Sequence, residues 1–212
     1  TSQGWQVAWR ESDGTEHTAE TRQLIITAPP WKWASLPLET TLTRVQQEGQ
    51  RVEAPPLTLV VRGYDRKQVA HPLNGFGLLA PRLERRHVLG VLFPSSVFPN
   101  CAPEGKVLLS TFIGGTRAPE QAWLNDDATG KLVDQELGDL LGVQGPPERQ
   151  WIMRWQQAIP QYHHGHGRFL EALAAAEQQH PGLHFVGNFR DGVSLMSTLR
   201  RGRELGRSLP LG

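Results

Sequence analysis

The stretch HFVGNFRDGVSLM, His184–Met196, has the order of a nucleotide-contacting connection: a short apolar run, a glycine turn and an amphipathic run. A helix that starts in such a turn leaves its first N–H groups unpaired. Together with the macrodipole they suit an anion or an electron-rich carbonyl. The pattern predicts a helix from about Gly192 to Leu205, so Gly192 would open it. The same residues also read as a plain strand-to-helix connection in which Gly187 and Gly192 only ease the turn, and spacing alone does not separate the two. A cofactor-contacting turn here would lie at the far end of the chain, whereas dinucleotide-binding turns normally open a domain.

Upstream of that turn, Phe169, Leu170 and Leu173 fall on one face of a helix predicted over Arg168–Gln179, closed by Pro181-Gly182. Trp151–Trp155 reads as a strand. Another helix is expected from Asp127, a candidate N-cap, to Leu141, with Val133, Leu137, Leu140 and Leu141 at helical spacing and Gly142 as its stop. Leu57–Val61, Phe76–Ala80, Val88–Phe93 and Val107–Ile113 are strand candidates separated by Pro and Gly. At the start, Trp5, Val7 and Trp9 alternate with polar residues, and Asp13-Gly14 is a turn signal. With Leu24-Ile25-Ile26 as the second apolar run, this reads as a hairpin that ends at Thr27-Ala28-Pro29-Pro30. The fold class is therefore α+β, a mixed, mainly antiparallel sheet with helices concentrated in the second half.

Bulk properties remove several functions. With 38% hydrophobic and 20% charged residues, the 212-residue chain can bury a sizeable core. A formal net charge of +1, with no like-charge block, gives no nucleic-acid footprint. Arg200, Arg201, Arg203 and Arg207 form a basic helix face without interleaved aromatics and read as solvated surface. No apolar run approaches the roughly 18 residues needed to span a bilayer. The single Cys101 allows neither an internal disulfide nor a cysteine zinc site.

Two local motifs invite chemistry that their context denies. GFGLLA, Gly75–Ala80, matches G-x-G-x-x-A, but Pro81 follows at once and Phe76, Leu78 and Leu79 have strand character, whereas the fingerprint requires a helix there. HHGHG, His163–Gly167, places histidines in a glycine-broken loop rather than one helical turn apart, so it reads as hydrogen-bonding loop residues and no metal site is assigned. Asp126-Asp127 fits a helix N-terminus better than a catalytic dyad.

Several stretches then occur in a telling order: ITAPP (Ile26–Pro30), GFGLLAPR (Gly75–Arg82), LGVLFPSSVFPNCAP (Leu89–Pro103), LLSTFIGG (Leu108–Gly115), AIPQYHHGH (Ala158–His166) and VGNFRDGVSL (Val186–Leu195). Together they resemble the C-terminal half of the oxygen-dependent protoporphyrinogen oxidase family, within the monoamine oxidase and phytoene desaturase superfamily. The resemblance implies FAD-dependent oxidation of protoporphyrinogen IX to protoporphyrin IX, with O2 as acceptor and H2O2 as product. In that family an N-terminal strand–turn–helix holds the ADP part of FAD, and a helical middle segment associates with a membrane of the cytoplasm or an organelle. Neither is found here. The resemblance thus implies a fragment whose partner is the missing N-terminal half and which does not retain FAD or activity alone.

Carried over residue by residue, the resemblance implies a porphyrinogen pocket lined by Leu79, Leu92 and Phe112. It places Trp155 against the isoalloxazine, and Gly187, Asn188, Gly192, Val193 and Ser194 in the turn that meets the flavin. It assigns no catalytic side chain to this chain. Cys101 stands where the family commonly has arginine, so a charge contact there would be lost. Residues 1–30 would form a hairpin and return strand, 31–160 the substrate-binding sheet and helix, and 161–212 a strand–turn–helix belonging to the FAD-binding domain. Apolar surface left open in such a fragment would favour a homo-oligomer.

Overall fold

The computed structural model describes residues 4–209; the outermost ends of the first and last predicted segments, 1–3 and 210–212, lie outside it. Along the chain the elements are β1 (Trp5–Arg10), β2 (Glu16–Thr21), β3 (Leu24–Ile26), α1 (Thr43–Gln50), β4 (Leu57–Asp65), β5 (Gly77–Leu79), β6 (Val88–Leu92), α2 (Pro94–Val97), β7 (Lys106–Gly114), α3 (Asp126–Leu141), β8 (Arg149–Trp155), α4 (His166–Gln179), β9 (Leu183–Phe185) and α5 (Leu195–Ser208). They gather into two compact units, one of residues 1–54 with 159–212 and one of residues 55–158. The divisions therefore fall at 54/55 and 158/159, and residues 31–54 cluster with the terminal segments rather than with the large sheet.

The inserted unit, 55–158, carries an antiparallel sheet of five strands in the order β5-β6-β7-β4-β8. Alternate residues of β4 and β7 (Val60 and Tyr64, then Val107, Leu109 and Ile113) share a core with Val133, Leu137 and Leu141 of α3. α3 starts as its sequence demands. Asn125 is the N-cap, its side chain accepting from the Ala128 amide, so the cap lies two residues before the expected Asp127. Asp126 and Asp127 occupy the first turn, where acids complement the dipole. Gly142 ends the helix in the left-handed conformation, φ 62°. Arg62 is buried in this layer and donates to Asp134 Oδ1 at 2.5 Å, Gln150 Oε1 at 2.7 Å, the Gly130 carbonyl at 3.0 Å and Tyr64 Oη at 3.2 Å.

The other unit is built around Trp33, whose ring lies 5.3–5.8 Å from those of Phe169, Phe185 and Phe189 and whose Nε1 donates to the Ala28 carbonyl. Here the structure corrects the N-terminal hairpin. β1 pairs antiparallel with the polar β2, and Leu24–Ile26 instead pairs parallel with Leu183–Phe185 of β9. The reason is burial. β2 is mostly exposed and needs no apolar alternation, while Ile26 and Phe185 belong to the core around Trp33. Helix α1 was invisible in the sequence because it buries only Val45 and Gly49.

Candidate functional site: an apolar sheet face and a glycine turn

The second face of the five-stranded sheet is largely apolar and, among the described residues, partly exposed. Cross-strand register puts Leu79, Gly90, Phe112, Leu59 and Met153 in one row across all five strands. Gly77, Leu92, Ser110, Val61 and Trp151 make the next row, and Leu57 aligns with Gly114 and Trp155. All three pocket residues expected from the resemblance, and Trp155, therefore share one face. Leu79 is 83% exposed, while Leu92 and Phe112 are half-buried. Glycines set the relief: Leu79 leans over Gly90 and Leu92 over Gly77. GFGLLA is thus an edge strand followed by Pro81 and a short 3-10 turn over Arg82–Glu84, not the start of a helix.

Sequence reading missed Leu59, Val61, Trp151 and Met153 on this face. The signal was present: β4 and β8 carry apolar residues at every second position, Leu57-Leu59-Val61 and Trp151-Met153-Trp155, opposite a face that β4 already devotes to the core. A contiguous, partly exposed apolar face of this kind marks a contact surface for ligand or protein, and its aliphatic and aromatic side chains suit an apolar molecule.

In the other unit, Gly187, Asn188, Gly192, Val193 and Ser194 lie in one turn between β9 and α5. The helix does not open at Gly192 as expected. Gly192 takes φ +100°, outside the helical region, and Ser194 is the N-cap, its Oγ accepting from the Ser197 amide at 3.1 Å. At the head of the turn, the Arg190 and Asp191 amides donate to the Gly187 carbonyl, and a β-carbon at Gly187 would fall 2.4 Å from the Phe189 ring. Arg190 clamps the turn onto α4 through two hydrogen bonds to Glu177, 2.6 and 2.9 Å. Burial disfavours the charged Glu177, but the bonds from Arg190 and the Phe185 amide outweigh it and hold the carboxyl below its ordinary range.

Two residues of the AIPQYHHGH stretch also hold this turn. Tyr162 Oη donates to the Asn188 carbonyl at 2.6 Å and accepts from the Gly192 amide at 3.1 Å. His166 stacks on the Tyr162 ring, centroids 4.1 Å apart, and its Nε2 meets the Phe189 carbonyl at 3.0 Å. Since a carbonyl only accepts, Nε2 carries the proton. Burial lowers the His166 pKa and raises that of Tyr162, favouring the neutral imidazole and the protonated phenol. His163 of the same motif faces Glu53 at 3.3 Å. Among the described residues no group of three or more His, Cys, Asp or Glu is placed to hold a metal. No helix among them is long and apolar enough to cross a membrane, and Cys101 is exposed.

This donor set suits an anion or an electron-rich carbonyl. Among the described residues the amides of Val193, Ser194, Leu195 and Met196 make no hydrogen bond, and they cluster at the positive end of the 14-residue α5. Gly192 differs from them, because its N–H is already given to Tyr162.

The chain is 37% identical over 154 residues to the mitochondrial protoporphyrinogen oxidase of Nicotiana tabacum, covering 71% of this chain and 31% of that protein. It is 28% identical over 148 residues to the coproporphyrinogen III oxidase of Bacillus subtilis (strain 168), covering 68% of this chain and 31% of that protein. The chain thus spans about a third of the length of these relatives. A crystal structure from Exiguobacterium sp. 255-15 shares the fold, with a TM-score of 0.73 at 20% identity over 95% of this chain and 45% of that one. Residues 6–203 match the profile of the flavin-containing amine oxidoreductases, and the chain belongs to that family.

Proposed function

We propose that this chain forms the porphyrinogen-facing and flavin-facing part of an oxidase that converts protoporphyrinogen IX to protoporphyrin IX, with FAD as cofactor, O2 as electron acceptor and H2O2 as product. The observation that carries this reading is the apolar row of Leu79, Phe112, Leu59 and Met153, flanked by Leu92 and Trp151, on the second face of the sheet. A reduced tetrapyrrole presents broad apolar faces, and contact with this surface removes both from water. The names of the tobacco and Bacillus relatives support a porphyrinogen over other apolar substrates.

Bound FAD would supply the two-electron chemistry. The residues of this chain bind and orient. Leu79, Leu92 and Phe112 take the face of the substrate, and Trp155 continues the same surface. The Gly187–Ser194 turn and the free amides after it face the electron-rich carbonyl of the flavin. No side-chain acid or base on this chain is assigned to the reaction. We assign the ADP end of the cofactor to the part of the whole enzyme that this chain does not match, so this chain alone would not retain FAD.

The Bacillus relative favours a second reading, in which the substrate is coproporphyrinogen III. Both are tested by supplying each porphyrinogen in air to the whole protein that contains this chain. Porphyrin fluorescence and peroxide with protoporphyrinogen IX support the first reading. Product from coproporphyrinogen III alone selects the second, and product from neither rejects both.

A further inference from the structure

We infer that Tyr162, backed by His166, is a positioning residue that fixes the shape of the Asn188–Ser194 backbone and so aims the free amides at the start of α5. The inference rests on the reading of that turn as a flavin contact. Among the described residues the second half of the turn is otherwise tied only at its edges, through Asp191, which pairs with Arg201 at 3.5 Å and accepts from the Gly187 amide at 3.3 Å, and through the Ser194 cap on Ser197, and none of these reaches the Gly192 backbone. The first half is closed by the Gly187 carbonyl and clamped by Arg190 on Glu177. Beyond Asp191, Gly192 sits at φ +100°, and Val193, Leu195 and Met196 are exposed. Glycine is the residue least able to hold one conformation unaided.

The Tyr162 hydroxyl spans the opening. It bonds to Asn188 on one side and Gly192 on the other, and so fixes the distance between the two limbs. A phenol suits this role because one hydroxyl both donates and accepts, while the ring gives a rigid arm. That arm is itself fixed, since the His166 ring lies nearly parallel to it at an interplanar angle of 13°. His166 is in turn tied to the Phe189 carbonyl between the two limbs and is the first residue of α4. The loop motif thus reaches three points of the turn through two side chains. By occupying the Gly192 N–H, Tyr162 also decides which donors remain for a ligand at the start of α5: those of Val193, Ser194, Leu195 and Met196.

The test is Tyr162→Phe, which keeps the stacked ring and removes only the hydroxyl. In this chain, hydrogen exchange of the Gly192 amide should become about five- to thirty-fold faster, the range expected for loss of one or two hydrogen bonds. Exchange in β9 and the middle of α4 should be unchanged. Unchanged exchange at Gly192 overturns the inference. In the flavin-loaded whole protein, the same substitution should shift the flavin midpoint potential and visible spectrum, because amides aimed at the ring tune its electronics. Faster exchange with an unaltered flavin potential and spectrum also overturns it: Tyr162 would then brace a turn that does not meet the cofactor, and the flavin reading of the turn would fail while the brace stood. Should Tyr162→Phe lower overall stability, His166→Ala, which keeps the hydroxyl but removes the stacked backing, must show the same local loosening.

Discussion

The Leu79 side chain lies over the bare Cα of Gly90: a β-carbon built on Gly90 would stand 3.2 Å from Leu79 Cδ2 and 2.6 Å from the Leu78 carbonyl oxygen. The second contact is with backbone and cannot be relieved by turning a side chain. Gly90→Ala should therefore pry the edge strand β5 from β6 and cost about 1–3 kcal/mol in urea unfolding. An unchanged midpoint would show that the β5–β6 register is not as described.

Leu79→Ser separates folding from binding. Leu79 is 83% exposed, so its loss should change stability by no more than about 0.5 kcal/mol. If the sheet face holds the tetrapyrrole, affinity for protoporphyrin should fall by about tenfold or more, the effect of removing a leucine side chain from an apolar contact. Porphyrin titration followed by quenching of the Trp151 and Trp155 fluorescence measures it. Equal affinity in the two proteins would place the ligand elsewhere.

Arg62 should be among the most sensitive positions of the inserted unit. Truncation to Ala strands the buried Tyr64 hydroxyl and the Gly130 carbonyl, while Gln150, which is exposed, and Asp134, more than half exposed, can return to water. A loss of about 3 kcal/mol is expected in chemical denaturation. Arg62→Lys should recover only part of it, since an ammonium cannot fork to the same partners.

The Glu177–Arg190 clamp gives a pH signature. Glu177 is held below its ordinary pKa of 4.5, so the folded chain binds this proton less readily than the unfolded chain does. Its contribution is complete above 4.5 and is lost as pH falls through the lower folded value. The stability gap between the wild type and Glu177→Gln should therefore be widest near neutrality and shrink below pH 4.5. A gap independent of pH would mean that the clamp does not depend on the charge.

Trp151, Met153 and Trp155 are 52%, 41% and 42% exposed on neighbouring positions of one strand. At high concentration the chain should associate through this face, and Met153→Lys should reduce the apparent mass in light scattering. A monodisperse monomer at every concentration rules this out.

How much of this was legible depended on which physical signal each element carries. Helix α3 could be read because cap, acidic first turn, apolar stripe and terminal glycine all agree. β4, β6 and β7 could be read because both of their faces are largely apolar. β2 could not, since an exposed strand such as Glu16–Thr21 has no face to bury. Gly49 looks like a helix breaker, yet it lets α1 approach Trp33 and Pro30, a contact no local pattern reveals. The α5 start was misplaced because two N-terminal signals compete, Gly192 and Ser194, and only the backbone angle decides. The turn residues were recognisable as a motif, but its dependence on Tyr162 was not, because the partners lie 26 and 30 positions away.

The pairing of β3 with β9 also has a consequence for biosynthesis. Ile26 waits for Phe185, so the unit around Trp33 cannot close until Phe185 has left the ribosome, whereas residues 55–158 form a contiguous segment able to fold beforehand. The Ala158 amide donates to the Pro55 carbonyl at 3.2 Å and the Gln161 amide to the Glu53 carbonyl at 2.8 Å, so entry and exit run side by side. The chain is thus built as a late-closing host with an early-folding guest. A short bridge across Ala54 and Ile159 would release the host from its guest without stretching either.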